Sequence, residues 1–279
     1  MSVRSVFGFV AILAGVAGIS FFQIFQVHGM QVLSKPDLNM DDQAEILGAT
    51  MQIKVSVLVD ASGLRLVQAE GLASLISDGK ETLLVTHNHW GNILQEKAVV
   101  ELYDVQGQLV KKMSGSDFIS LMVYLDAGTL ILRSPVEWQG QAQPVREGDP
   151  HQLQAGEVVV VAQRVGPERK EVGLIEAEVE SVTTIRGLSV YHLKALDGQP
   201  VQPGDSGGGV WHQGKLLGTL WYTAMDKPTP SIPYSWGEPD KITLKATDES
   251  YAARYPADQL SAFREQLVGA GSEEESAIP

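Results

Sequence analysis

From Met51 onward, the chain alternates between short apolar runs and polar turns. The runs are rich in valine, leucine and isoleucine, and turn residues such as Asp78-Gly79 separate them, which is typical of β-strands joined by hairpins. A first set lies within residues 52–134, and a second set follows a linker near residues 135–150. In order, the runs are QIKVSVLV, LASLIS, TLLVTHN, AVVELYDV, QLVKKM, ISLMVYL, TLILRS, EVVVVAQRV, VGLIEAEVESV, LSVYHLKAL, GVWHQGKLLGTLWYT and KITLKAT.

Two sets of about six strands each predict an all-β chain in which two antiparallel six-stranded β-barrels pack together. We expect the first barrel over residues 51–140 and the second over residues 141–268. Within the second region, residues 257–267 carry apolar side chains at helical spacing, which predicts a C-terminal helix. The acidic end, residues 269–279, is predicted to be disordered.

The N-terminal region has a different pattern, because residues 5–27 contain no charged side chain. A run of this length can cross a bilayer core of about 30 Å as a helix. With Arg4 as its positive flank, it predicts a single-pass signal anchor over residues 1–28, with the rest of the chain outside the cytoplasm at the cell membrane. A cleaved signal peptide is the alternative. Residues 29–50 are expected to form a linker with one short helix.

Composition excludes several classes of protein. The formal net charge is −13, and the lysines and arginines form no runs, which argues against a nucleic-acid binder. The chain has no cysteine, so disulfide bonds and thiolate metal sites are excluded.

The segment VQPGDSGGGVW contains the strongest chemical signal. A serine hydroxyl becomes a nucleophile when a base removes its proton, and acyl transfer also needs N–H groups directed at the developing oxyanion. A glycine two residues before Ser206 allows the N–H groups of Gly204 and Ser206 to point into one small space. Asp205 could hold the loop by pairing with a buried positive group, such as an amino terminus or a lysine. The alternative is a polar turn between two strands.

The longer segment GDSGGGVWHQGKLLGTLWY resembles the region around the active serine of trypsin-like, chymotrypsin-fold serine proteases. Their pattern is Gly-Asp-Ser-Gly-Gly-Pro, and Gly209 stands where the proline would be. The resemblance implies a chymotrypsin-like pair of barrels, a His-Asp-Ser triad and no metal or organic cofactor. The family's usual Arg/Lys-Ile-Val-Gly-Gly-like start is not evident. In this respect the chain resembles compact bacterial members of the family, which are active without an activating cleavage.

The same resemblance implies a histidine at the end of a strand in the first barrel. In TLLVTHNHW, His89 falls at the position of the family's catalytic histidine, and His87 is the alternative. Residues two apart on a strand point to the same side, so the two histidines could instead bind zinc, although no third ligand with suitable spacing accompanies them.

The carboxylate of the triad should directly precede a strand, between the histidine and the serine. Asp126, in YLDAGTLILRSP, fits the position before the last strand of the first barrel. Asp117, in SDFISLMV, is the alternative, and Asp104 is interpreted as a hairpin residue. The order His89, Asp126, Ser206 is that of the trypsin-like family.

The resemblance places the substrate pocket beside the serine. Its candidate wall residues are Pro200, Leu220, Trp221 and Tyr222, of which the last three could equally be core residues. Proline, not aspartate, stands six residues before the serine, so a preference for lysine or arginine is not supported.

These features favour a serine endopeptidase that cleaves protein or peptide substrates through an acyl-enzyme. A catalytically inactive, protease-like binding or sensing module is the main alternative, and a serine esterase on the same fold is another.

Overall fold

The computed structural model describes residues 40–58, 66–90, 97–146, 153–166, 168–185, 187–199, 201–225, 246–262 and 264–265. These residues form a mostly β structure of two sheets, in agreement with the predicted fold class. The strands are β1 Thr50–Leu58, β2 Leu66–Ser77, β3 Thr82–His87, β4 Val99–Tyr103, β5 Leu109–Ser114, β6 Met122–Leu125, β7 Thr129–Arg133, β8 Gln143–Pro144, β9 Val158–Val165, β10 Glu171–Ile185, β11 Leu188–Ala195, β12 Gly209–His212, β13 Lys215–Met225 and β14 Ala246–Arg254. Two α-helices, α1 Met40–Gly48 and α2 Gly115–Ser120, precede β1 and β6.

The first sheet is antiparallel, with strand order β5-β4-β1-β2-β3-β7-β6. It has seven strands, and within the described residues its edge strands β5 and β6 are not hydrogen-bonded to each other. The prediction of a closed six-stranded barrel is therefore not met here. Both edges leave apolar side chains in solvent, since Leu109 is 53% exposed and Leu125 is 49% exposed. Closure depends on strand tilt and register, which alternation of side chains does not determine.

The second sheet closes as predicted. Its strand order is β12-β9-β10-β11-β14-β13, and an additional β12–β13 pairing joins the ends into a six-stranded barrel. Strand β8 extends β13 in parallel through Lys215 and Leu216. A closed barrel and a second sheet are compatible with the chymotrypsin-like fold expected from the serine segment.

Helix α2 interrupts the run ISLMVYL, which the sequence pattern presented as one strand. Ser114 is the N-cap, and its hydroxyl oxygen accepts a 3.0 Å hydrogen bond from the N–H of Asp117. Serine at this position satisfies a main-chain donor that the first helical turn would otherwise leave without a partner. Phe118 of α2 is fully buried in the core, and α2 packs against β4 and β5.

The two ends of the described chain also pack on the sheets. Helix α1 lies within the stretch assigned to a linker, and its Ile46 is completely buried. Residues 257–262 and 264–265 are helical, in agreement with the predicted C-terminal helix, and Arg264 pairs with Asp78 of the β2–β3 turn. No described helix is both long and apolar enough to cross a bilayer, and the predicted anchor over residues 1–28 lies outside the described residues.

Candidate active site

The serine turn, residues 202–208, leads into β12 at the junction of the two sheets. Its main chain is closed by a hydrogen bond from Asp205 N–H to the Gln202 carbonyl at 3.0 Å and by one from Gly208 N–H to the Asp205 carbonyl at 2.8 Å. The Ser206 carbonyl accepts a 2.8 Å bond from the N–H of Leu72 on β2. The second barrel therefore presents Ser206 directly to the first sheet.

Close approach of other main-chain atoms explains two glycines of the turn. A Cβ on Gly207 would overlap the Leu72 carbonyl oxygen and would lie 2.5 Å from Thr86 Oγ1. A Cβ on Gly208 would overlap the Ala162 carbonyl oxygen. Gly207 also has a φ of +86°, which residues with a side chain rarely adopt. The glycine run therefore allows the serine turn to fit between β2 and β9.

Two N–H groups of the turn stand apart from the rest. The N–H groups of Asp205, Gly207 and Gly208 all donate to carbonyl oxygens. Within the described residues, the N–H groups of Gly204 and Ser206 have no hydrogen-bond acceptor. The hydroxyl of Ser206, which is partly exposed, also donates no hydrogen bond within these residues. Gly204 has a φ of +98°, which only glycine adopts easily. These are the two donors that the sequence assigned to an oxyanion hole.

Asp205 is completely buried beneath the turn. Its carboxylate accepts hydrogen bonds from the N–H of Arg164 and the N–H of Gln202, each at 2.8 Å, and its Oδ1 lies 2.5 Å from Nη2 of Arg169. Burial raises the pKa of Asp205, while the charge of Arg169 and these hydrogen bonds oppose that effect. The sequence predicted a buried positive partner, such as an amino terminus or a lysine, whereas the partner is Arg169 of the β9–β10 turn, with a partly exposed side chain.

His87 is the last residue of β3, and it lies next to the serine turn. A Cβ on Gly71 would be 2.7 Å from the Ser206 carbonyl oxygen and 3.1 Å from Nε2 of His87. The His87 side chain is buried, and its ring centroid lies 4.6 Å from that of Trp90. The structure thus brings one of the two candidate histidines to Ser206.

His89 belongs to a 3₁₀ turn, Asn88–Trp90, that follows β3, and its side chain lies outside the described residues. Because β3 ends at His87, the rule that residues two apart share a face does not extend to His89. The choice between the two histidines therefore stays a prediction.

Asp126 occupies the turn between β6 and β7, directly against this 3₁₀ turn. The Asn88 side-chain amide donates to the Asp126 carbonyl, and the Asn88 N–H donates to the Gly128 carbonyl at 3.3 Å. The Asp126 carboxylate already accepts hydrogen bonds: Oδ1 from the N–H groups of Gly128 and Thr129, each at 2.7 Å, and Oδ2 from the Tyr124 hydroxyl at 3.1 Å. Burial, followed by the Asp126 charge, raises the pKa of Tyr124 to about 12.

The alternative aspartates have structural roles in other turns. Asp117 lies in the first turn of α2, where its carboxylate accepts a 2.7 Å hydrogen bond from the Ser114 hydroxyl. Asp104 lies between β4 and β5, and its Oδ1 accepts from the N–H groups of Gln106 and Gln108 at 3.0 and 2.8 Å.

The predicted pocket residues are only partly described. Leu220 exchanges main-chain hydrogen bonds with the glycines after Ser206, but its side chain lies in the core. Trp221 is 8% exposed and packs with Val190 and Ala253. The Gly128 end of the Asp126 turn contacts this cluster, because a Cβ there would lie 2.7 Å from Cβ of Ala253. Pro200 and the side chain of Tyr222 lie outside the described residues.

One group of described side chains has donors suitable for a metal ion, away from the predicted site residues. Glu180, His192 and Glu249 come from β10, β11 and β14, and their nearest ligand atoms lie within 4.8 Å of one another. The two His192 ring nitrogens lie 3.3 and 3.4 Å from carboxylate oxygens of the two glutamates. Lys194 Nζ, 3.9 Å from Glu180, already supplies a positive charge.

Sequence reasoning missed two arginines that surround the serine turn, Arg164 and Arg169. Arg164 is the one charged residue in the strand VVVVAQRV, and this interruption of a mostly apolar run was the available signal. Comparison of the chain with known protein families and with curated proteins finds no match.

Proposed function

We propose that the protein is a serine endopeptidase that cleaves peptide bonds through an acyl-enzyme. The observation that carries this proposal is the serine turn: the N–H groups of Gly204 and Ser206 have no acceptor within the described residues, while the buried Asp205 holds the turn in place. Hydrogen-bond donors fixed before substrate arrives are what stabilisation of a tetrahedral oxyanion requires.

In this proposal, His89 removes the proton from the Ser206 hydroxyl, and the oxygen attacks the scissile carbonyl carbon. The carbonyl oxygen becomes negatively charged and accepts hydrogen bonds from the N–H groups of Gly204 and Ser206. The same histidine then gives the proton to the leaving amine, and water attacks the acyl-enzyme in the reverse sequence of steps. Asp126 orients the histidine and stabilises its charged form.

A fluorophosphonate probe tests the nucleophile, because it phosphonylates an activated serine and places an oxygen in the oxyanion hole. We expect labelling of the wild-type chain and no labelling of Ser206→Ala, with Ser189→Ala, an exposed serine of β11, as the matched control. Equal labelling of wild type and Ser206→Ala, or labelling of neither, would contradict the proposal.

The base is tested with the same probe. We expect His89→Ala to lose labelling, while His87→Ala keeps it if the protein remains folded. The reverse result would assign the base to His87. Hydrolysis of a peptide library alongside small esters separates the endopeptidase from an esterase, which would cleave the esters alone.

One observation favours a second candidate function, a protease-like binding module without catalysis. Both oxygens of the Asp126 carboxylate already accept hydrogen bonds from its own turn and from Tyr124. A carboxylate used in this way is suited to hold a turn together. Absence of probe labelling, together with capture of peptides from a library, would support the binding module.

We further propose that residues 5–27 anchor the protein in the cell membrane with the sheets outside the cytoplasm, where they would meet protein or peptide substrates. This rests on the uncharged apolar run and on Arg4. Extraction of membranes at alkaline pH tests the anchor: the full chain should stay in the membrane fraction, and a chain beginning at residue 29 should not.

A further inference from the structure

Arg164 of β9 contacts both sides of the candidate site. Its main-chain N–H donates to Oδ1 of Asp205 at 2.8 Å, and its Nη1 pairs with the carboxylate of Glu70 on β2. The Arg164 side chain is 11% exposed. One residue therefore connects the second barrel, the serine turn and the first sheet.

The Arg164 side chain also lies against Gly204. A Cβ on Gly204 would have the Arg164 Cδ as its nearest neighbour, at 3.9 Å. Gly204 is the half of the proposed oxyanion hole whose positive φ requires glycine, and apart from its neighbours in the chain no other described residue has an atom within 4 Å of that Cβ position. The stem of Arg164 therefore packs beside Gly204.

Glu70 places the other end of the arginine beside Ser206. It directly precedes Gly71, whose Cα lies next to the Ser206 carbonyl, and Leu72 donates to that carbonyl. The ion pair and this main-chain hydrogen bond therefore form two adjacent links between β2 and the serine turn.

Stability alone gives little reason for this pair. Glu70 is 45% exposed, and an ion pair of this kind contributes little to folding. The Arg164 Nε is buried and has no hydrogen-bond partner within the described residues, which costs free energy. The buried Nε of Arg164 and the charge of its guanidinium both cost folding free energy, which favours a role for Arg164 in fixing the conformation of the serine turn.

We infer that Arg164 is a positioning residue, which fixes the Gly204 side of the oxyanion hole and, through Glu70, holds the serine turn in register with β2. This inference rests on the proposed serine hydrolase function. Arg164 acts through the Gly204 peptide, and the Glu70 carboxylate holds the guanidinium in place.

The test measures fluorophosphonate labelling rates and ester hydrolysis with the full chain in detergent. Arg164→Met keeps the stem and removes the ion pair, and we expect labelling to slow by about tenfold to a hundredfold, the effect of a misplaced reacting group, with KM nearly unchanged. Arg164→Lys should recover most of the rate, because lysine keeps both the stem and the charge. Arg133→Met is the control, because its arginine pairs with Glu81 beside the start of β3, at the opposite end of that strand from His87, and it should label at the wild-type rate.

A double-mutant cycle makes the test sharper. Glu70→Gln should slow labelling severalfold, and the double variant should be no slower than Arg164→Met, because the two residues act as one unit. Additive effects would overturn the inference. Labelling of Arg164→Met at the wild-type rate would also overturn it. The same holds if the labelling rate is lost in both Arg164→Met and Arg164→Lys in proportion to a lowered urea midpoint.

The outcomes also separate this inference from the proposed function. If Arg164→Met is labelled at the wild-type rate while Ser206→Ala is unlabelled, the serine hydrolase stands and the role of Arg164 is wrong. If the wild-type chain is not labelled, both are wrong.

Discussion

The two ends of the candidate site differ in what their polar groups already do. At the serine turn, within the described residues, every main-chain N–H group donates a hydrogen bond except those of Gly204 and Ser206, and buried Asp205 accepts one of these bonds with its carboxylate. At the turn of Asp126, the carboxylate that should orient a histidine is used by its own main chain and by Tyr124. The serine end is thus built around unused donors, and the aspartate end around a carboxylate whose two oxygens both already accept hydrogen bonds.

The largest effect that could break this comparison is expected for Asp126→Asn. Asparagine keeps an oxygen that can accept from Gly128 and Thr129, so the free energy of unfolding should fall by only about 1 kcal/mol. If Asp126 orients the histidine, labelling should slow by roughly 10⁴-fold, because the amide supports the wrong tautomer. The measurement is the labelling rate beside a urea unfolding curve.

Asp104→Asn is the matched control for that variant. Asp104 also accepts two main-chain N–H groups with one oxygen, in a turn at the other side of the sheet. Asp104→Asn should lower the free energy of unfolding by a similar amount and leave the labelling rate unchanged. Equal, small losses in both variants would make Asp126 a turn residue and would favour the binding module.

Removal of Arg169, the positive partner of Asp205 beneath the serine, should have the next largest effect, on the free energy of unfolding. Arg169→Met leaves the buried Asp205 carboxylate without its counter-charge, which should cost about 3–5 kcal/mol of unfolding free energy. Asp205→Asn in the same chain should recover part of this loss. An unchanged urea midpoint in Arg169→Met would show that the turn does not depend on the pair.

The pH dependence of Arg169→Met has a definite sign. Burial raises the pKa of Asp205, and loss of the arginine removes the main opposing effect, so the folded state binds the proton more tightly than the unfolded state. The penalty is then present at neutral pH and disappears as the pH falls below the unfolded pKa of about 3.9. The deficit relative to wild type should therefore shrink between neutral and acid pH in urea titrations.

The tight fit of the turn against β2 is tested with Gly207→Ala. The new methyl group would overlap the Leu72 carbonyl oxygen at a positive φ, and we expect a loss of about 2–4 kcal/mol. Gly198→Ala separates the two causes, because Gly198 has a φ of +69° but open space around its Cα. It should lose only about 1 kcal/mol, from backbone strain alone. Equal losses would mean that close packing does not explain the glycine run.

Local patterns predicted what local chemistry decides. Alternation predicted the strands, and GDSGG predicted a tight turn at Ser206. The sequence also contains the residues of the α2 cap, Ser114 and Asp117, but the apolar run that follows them was interpreted as a strand. Closure of the first sheet depends on how distant edges meet. The choice of Arg169 among all cations depends on where the β9–β10 turn falls in the fold, which no local pattern contains.

The smallest expected effect comes from Tyr124→Phe, which releases one oxygen of Asp126 without touching the turn's main-chain bonds. Loss of the 3.1 Å hydrogen bond should cost about 1 kcal/mol of unfolding free energy. If Asp126 also serves a histidine, the freed Oδ2 is a better acceptor for the imidazole, so labelling should stay equal or become faster while stability falls. If labelling falls by more than about threefold, the hydroxyl itself holds the carboxylate in its catalytic orientation, since one lost hydrogen bond is worth about 1 kcal/mol. Tyr124 would then belong to the aspartate end of the site as a positioning residue, and the hydrogen bonds that the Asp126 carboxylate already accepts would be part of catalysis.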